Sequence, residues 1–215
     1  MQLVVLANEL LKGELLSNGT SNEIEIIWID RVEEFYNYKN ADGYLDLLFE
    51  NTISRIELLK SLQVQPIIIN SVTNTLEETD ASIIRINAWP GFLERRIVEA
   101  SYSDETIKKK SEKIFNLFNK KIEWLPDKPG FITARVISMI INEAWFALQQ
   151  GISTKEEIDI AMKLGTNYPY GPFEWGNKIG LEKIYDLLKR LSRENLRYNP
   201  AELLEKEVKN EWHSF

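Results

Sequence analysis

The side chains that most often run chemistry near neutral pH are almost missing from this sequence. It has no Cys and one His, His213. Without thiols there is no disulfide, no cysteine nucleophile and no thiolate metal site. One imidazole excludes a multi-histidine zinc site, and a Ser-His-Asp triad would have to recruit the segment around His213. No metal centre is expected. Carboxylates, amides and cations remain. The Lys108-Lys109-Lys110 run reads as a solvated helix face, with a grip on phosphates as the second reading. Ser153-Thr154-Lys155-Glu156 has the capping-box pattern, in which a hydroxyl and a carboxylate satisfy free N–H groups at a helix start.

Such groups act only where a fold buries and aims them. The chain has 215 residues, 44% of them hydrophobic, with 6 Trp, 8 Tyr and 9 Phe, enough for a real core. Its net charge of −7 argues against nucleic acid and against an anionic membrane surface as partners. No apolar run reaches the ~20 residues that span a bilayer. The opening MQLVVLANELL has neither a basic region nor a small-residue cleavage site, so it does not read as a signal peptide. The expected compartment is the cytoplasm.

Two kinds of pattern divide the chain. Short unalternating apolar runs at 2–7, 24–29, 44–49, 67–70, 82–87, 96–100 and 121–125 suit strands covered on both faces. Helical spacing intervenes at 8–16, 32–38, 54–62 and 104–119. This alternation predicts a mostly parallel α/β sheet domain over 1–126. Beyond Pro126 the pattern is helical only, with helices at 131–150, from 155 to Gly165, at 181–191 and at 201–211. The aromatic stretch 168–176, YPYGPFEWG, reads as a turn between helices, and 127–215 as an all-α domain.

The helical part carries Pro129-Gly130-Phe131-Ile132-Thr133-Ala134-Arg135, then Asn142-Glu143-Ala144, then Glu157-Ile158-Asp159, then Tyr168-Pro169-Tyr170-Gly171-Pro172-Phe173-Glu174. In motif and spacing this series resembles the C-terminal domain of 3-hydroxyacyl-CoA dehydrogenases, with its P-G-F-I-x-N-R, N-E-A, E-D-I-D and G-x-P-x-G-P-F-E segments. Weaker matches run through the first part. Ala41 to Glu50 stands where the family has A-D-L-V-I-E-A-V-x-E. Ile69-Asn70-Ser71-Val72 is similar to its T-N-T-S strand end, Arg85 to Pro90 to its G-M-H-F-F-N-P, and Ile97-Val98-Glu99 to its L-V-E. The resemblance implies a shortened Rossmann-like domain, a helical domain that pairs in a homodimer, an acyl-CoA ligand and NAD as cofactor.

It also implies site residues. Glu99 matches the family's catalytic Glu, and Asn87 holds the place of its basic His. Asn70, Ser71, Thr73 and Arg135 fall at or beside substrate-contacting positions. Asn8 and Asp30 fall on the cofactor side, Asp30 about twenty residues past the first turn, where an acidic group meets a ribose hydroxyl. Three departures bear on activity. An amide has no useful pKa near 7, so Asn87 cannot be a general base. Ala134 stands where the family has Asn. The first turn, Leu6-Ala7-Asn8-Glu9-Leu10-Leu11, lacks the glycines that let a backbone touch a pyrophosphate. Other readings stay open for each residue. Glu99 could pair with Arg95 or Arg96, Asn87 could simply form the turn before Trp89, and Trp89 and Phe92 could line an acyl pocket or fill core.

Overall fold

The computed structural model describes residues 1–62, 66–80 and 82–212, so His213 lies outside the described residues. The chain divides into two units, Met1–Phe131 and Ile132–Phe215. The division falls later than the expected 126/127 because the linker is stapled to the first unit. Arg85 holds the Asp127 carboxylate and the Lys128 carbonyl, its guanidinium lies over the Phe131 ring, and Gly130 N–H reaches Val72 O at 2.8 Å.

The first unit is a seven-stranded sheet of order β2-β1-β3-β4-β5-β6-β7. The strands are β1 (Gln2–Leu6), β2 (Glu25–Ile29), β3 (Gly43–Asp46), β4 (Ile67–Asn70), β5 (Ile84–Ile86), β6 (Ile97–Ser101) and β7 (Lys121–Trp124). Every neighbouring pair is parallel except β5 and β6. Helices α1 (Glu9–Leu16), α2 (Ile53–Ser61) and α3 (Glu105–Leu117) connect them. The apolar runs do not alternate because both faces are covered. Leu3 and Val5 point into one core with Leu11, Leu15, Ile114 and Phe115, and Val4 and Leu6 into the other with Phe35, Tyr44, Leu58 and Leu59.

Strand order reverses between β1 and β3, the switch point at which open α/β sheets bind ligands. The classic dinucleotide-binding sheet has two strands beyond its first strand on that side; among the described residues this sheet has β2 alone there. Two local expectations change. Residues Val32–Tyr38 form a 3-10 helix that buries only Phe35. The 44–49 run is strand only as far as Asp46, whose side chain is fully buried.

The second unit is helical: α4 (Thr133–Gln149), α5 (Lys155–Thr166), α6 (Pro172–Ile179), α7 (Leu181–Ser192) and α8 (Glu202–Trp212). α4 is central and packs against α6, α7 and α8. α7 buries Leu181, Ile184, Leu187, Leu188 and Leu191 on one face. The capping box that opens α5 is shifted one residue from the expected one. Thr154 accepts the N–H of Glu157, while the Glu157 carboxylate returns to the Thr154 N–H and to Ser153 Oγ. The 168–176 stretch is a turn only in its first half, since α6 starts at Pro172. Proline at a first helical position loses no bond and brings the required φ. No helix among the described residues is long and apolar enough to cross a membrane.

Candidate functional site

The antiparallel pairing of β5 with β6 sets Asn87 opposite Glu99, and Asn87 N–H donates to Glu99 O at 2.9 Å. Their side chains meet as well. Asn87 Nδ2 donates to Glu99 Oε2 at 2.9 Å, and Asn87 Oδ1 accepts the Trp89 N–H at 3.3 Å. Asn87 is 2% exposed and Glu99 9%, so the pair is sequestered rather than solvated. Glu99 therefore faces an amide, and Arg95 turns its guanidinium over the Phe92 ring. Trp89 and Phe92 are both buried.

Asn70 ends β4 beside this pair. Its Nδ2 donates to Leu47 O at 3.2 Å and Ala88 O at 3.1 Å, and its Oδ1 accepts the Ala88 N–H at 3.0 Å. One amide thus stitches together the ends of β3, β4 and β5 and holds the residue after Asn87. Ser71 Oγ donates to Asn74 O at 3.1 Å and is buried, while Thr73 is half-buried. Asn70, Ser71, Asn87 and Glu99 are thereby gathered in the first unit. Arg135 lies in the second unit, on α4, where it lines a pocket of about 310 Å³ with Val136, Met139, Ile140, Glu143 and Tyr198.

The cofactor side is built differently. Asn8 is the N-cap of α1, and its Oδ1 accepts the Leu11 N–H at 3.0 Å. It thus takes up a donor that a phosphate would otherwise use. Glu9 occupies the first turn and pairs with Lys12 at 2.8 Å. Leu11 packs into the core and Leu10 is 50% exposed. A carboxylate and an occupied cap at this helix start do not fit a dinucleotide diphosphate. Asp30 is exposed just past β2.

Two features here escaped the sequence reading. A cavity of about 250 Å³ is lined by Val32, Glu33, Glu50, Thr52, Ser54, Arg55 and Leu58. Its Arg55 is locked to buried Asp46 by two bonds, Nε–Oδ2 at 2.7 Å and Nη2–Oδ1 at 2.9 Å. Arg85 is likewise fully buried. Burial pulls its guanidinium below the usual arginine range while Asp127 pushes it back up. An acid closing an apolar run, as in YLD, was the available signal for Asp46; an Arg inside IRI was the one for Arg85.

Comparison with known proteins follows the same division. Residues 130–214 match the family model described as 3-hydroxyacyl-CoA dehydrogenase, C-terminal domain. A 3-hydroxyadipyl-CoA dehydrogenase of Escherichia coli (strain K12) is 38% identical over 50% of this chain, which spans only 23% of that protein. A probable 3-hydroxybutyryl-CoA dehydrogenase of Bacillus subtilis (strain 168) is 26% identical over 96% of this chain and 77% of that protein. Among solved structures, an (S)-3-hydroxybutyryl-CoA dehydrogenase from Ralstonia eutropha superposes with a TM-score of 0.74 at 19% identity, covering 97% of this chain and 93% of that one. At that identity the likeness is one of fold: a Rossmann-like sheet followed by a helical domain.

Proposed function

We propose, from the premise that this chain belongs to the 3-hydroxyacyl-CoA dehydrogenase family, that it binds an acyl-CoA-type thioester and does not oxidise it with NAD. One observation carries the reading. Where the family pairs a His with a Glu, this chain sets Asn87 Nδ2 on Glu99 Oε2 at 2.9 Å. An amide brings N–H donors and no group that takes a proton near pH 7. Asn87 can therefore hold a keto or thioester oxygen, with Glu99 fixing its orientation, and it cannot remove a hydroxyl proton. Asn70 keeps the strand ends in place, and Ser71, Thr73 and Arg135 remain substrate-side candidates. The first turn of α1 supports the same reading, because Asn8 and Glu9 disfavour a diphosphate there.

Calorimetry and absorbance test this directly. Acetoacetyl-CoA is expected to bind saturably and NADH not to bind. A mixture of the two is expected to lose NADH absorbance no faster than buffer. Turnover across several chain lengths and pH values, or saturable micromolar NADH binding, overturns the proposal.

A second reading, an active NAD-dependent dehydrogenase, is favoured by the strand-order reversal at β1 and β3 and by Asp30 beyond β2. Glu99→Gln separates the two. It leaves thioester affinity nearly unchanged under the first reading and abolishes rate under the second. We extend the proposal to a cytoplasmic homodimer joined through the helical unit. Ile160 at 53% and Leu164 at 84% exposure lie one turn apart on α5 and support such a face. Sedimentation of wild type against Leu164→Glu tests it, with a shift towards monomer expected.

A further inference from the structure

One buried cation has no part in the site above. Lys120 stands between α3 and β7 at 0% exposure. Its Nζ donates to Glu14 O at 3.2 Å, to Arg95 O at 3.3 Å and to Ser17 Oγ at 3.4 Å. Glu14 and Ser17 belong to the C-terminal end of α1, and Arg95 to the connection between β5 and β6. A second tie joins the same two segments. Gly91, at φ +89°, donates its N–H to the buried Glu14 Oε1 at 2.7 Å. A lysine and a glutamate thus fasten α1 to the segment that runs from Asn87 to Glu99.

All three oxygens that Lys120 holds are neutral. A buried ammonium held only by neutral oxygens is drawn towards the uncharged amine. Two carboxylates oppose this, Glu14 from α1 and Glu94 from the connection, while Arg95 directs its guanidinium to the Phe92 ring. Burial prevails and brings the Lys120 ammonium from 10.5 down to about 8.

We propose that Lys120 is a proton-coupled latch: taking up a proton favours release of the β5–β6 connection from α1, and losing it favours the docked state. The sign follows from linkage. Released into water, the lysine returns to its ordinary range, so the released state binds the proton more tightly. The docked state gains as pH rises through about 8, and the gain levels off near 10.5. Over that interval the docked-to-released ratio changes by up to about 300-fold.

Amide exchange read by mass spectrometry, corrected for its intrinsic base catalysis, tests the latch on the whole chain. In wild type, opening of peptides spanning 87–96 and 9–17 falls as pH rises from about 7 to about 10. Lys120→Met flattens the profile, and Lys120→Arg keeps its charge and holds opening at the low-pH level throughout. Identical profiles in wild type and variants, or opening that rises with pH in wild type, overturn the proposal. Should the variants fail to fold, carbon-13-labelled lysine in wild type decides. Desolvation also draws Lys183 below the ordinary lysine range, so the signal is assigned by sequence position: Lys120 titrating near 8 supports the latch, and Lys120 titrating in the ordinary range overturns it.

Discussion

The helical unit and the sheet unit stabilise themselves by different means. In the helical unit the polar residues that match the family serve backbone groups at helix starts. Asp159 on α5 accepts the N–H groups of Phe173 at 2.8 Å and Glu174 at 3.1 Å, and so caps α6. Glu174 accepts the Gly171 N–H and pairs with Lys163. Asn142 on α4 donates to Asn199 O and accepts the Ala201 N–H, which fixes the entry to α8. In the sheet unit, charged side chains are buried between separate elements: Asp46 with Arg55, Arg85 with Asp127, and Lys120 on the backbone carbonyls of Glu14 and Arg95. A cap needs given residue types at given spacing, so it can be read from the local sequence. Groups that meet across a sheet are set by strand register instead, as Asn87 and Glu99 illustrate.

This contrast can be broken by substitution. The largest effect is expected from Asp46→Ala, which leaves Arg55 without its buried carboxylate and costs about 3–5 kcal/mol by chemical denaturation. A loss under about 1 kcal/mol would mean the sheet unit does not rely on its buried charges. Next comes Gly171→Ala, whose added Cβ would overlap the Asp159 carboxylate and unseat the α6 cap. A cost of about 1–3 kcal/mol is expected from such overpacking, and thermal unfolding that matches wild type would show that the turn yields instead.

A smaller effect concerns acid. Lys163 and the Gly171 N–H hold the Glu174 carboxyl below its ordinary value of 4.5. A depressed folded-state value means this contribution is present above the ordinary range and disappears as pH falls through the folded value. Glu174→Gln should therefore lower the neutral plateau slightly, leave the strongly acid end unchanged and so shallow the acid limb between them; an unaltered acid limb would refute the assignment. The smallest effect is expected from Asn87→His. A positioned base contributes about 10²–10⁴-fold, yet with Asn8 and Glu9 at the α1 start the variant should show no NADH oxidation above wild type. If that single change starts turnover, the cofactor corner is open after all.

Several elements were legible because local composition dictates them. The QLVVL strand, the α3 helix and the Thr154 region follow from apolar period and capping chemistry, with the α5 box displaced by one residue and α6 starting inside the aromatic turn. Asn87, Glu99 and Asn70 were singled out through the resemblance; their bonds, Asn87 to Glu99 and Asn70 to backbone at neighbouring strand ends, could not be read from it. Asp46, Arg85 and Lys120 were not singled out. The groups that hold them lie elsewhere in the chain, so nothing beside them in sequence announces their burial.

Apolar period, helix caps and turn residues act over a few positions, so the sequence alone determined the two-part architecture and the order of elements. The tertiary structure decided what the residues face. Strand register set Asn87 on Glu99, the fold carried Asp127 back to Arg85 across 42 positions, and Lys120 found its oxygens on α1 and beyond β5. The reason is that burial and electrostatic pairing depend on distances in space, which apolar spacing along the chain does not encode.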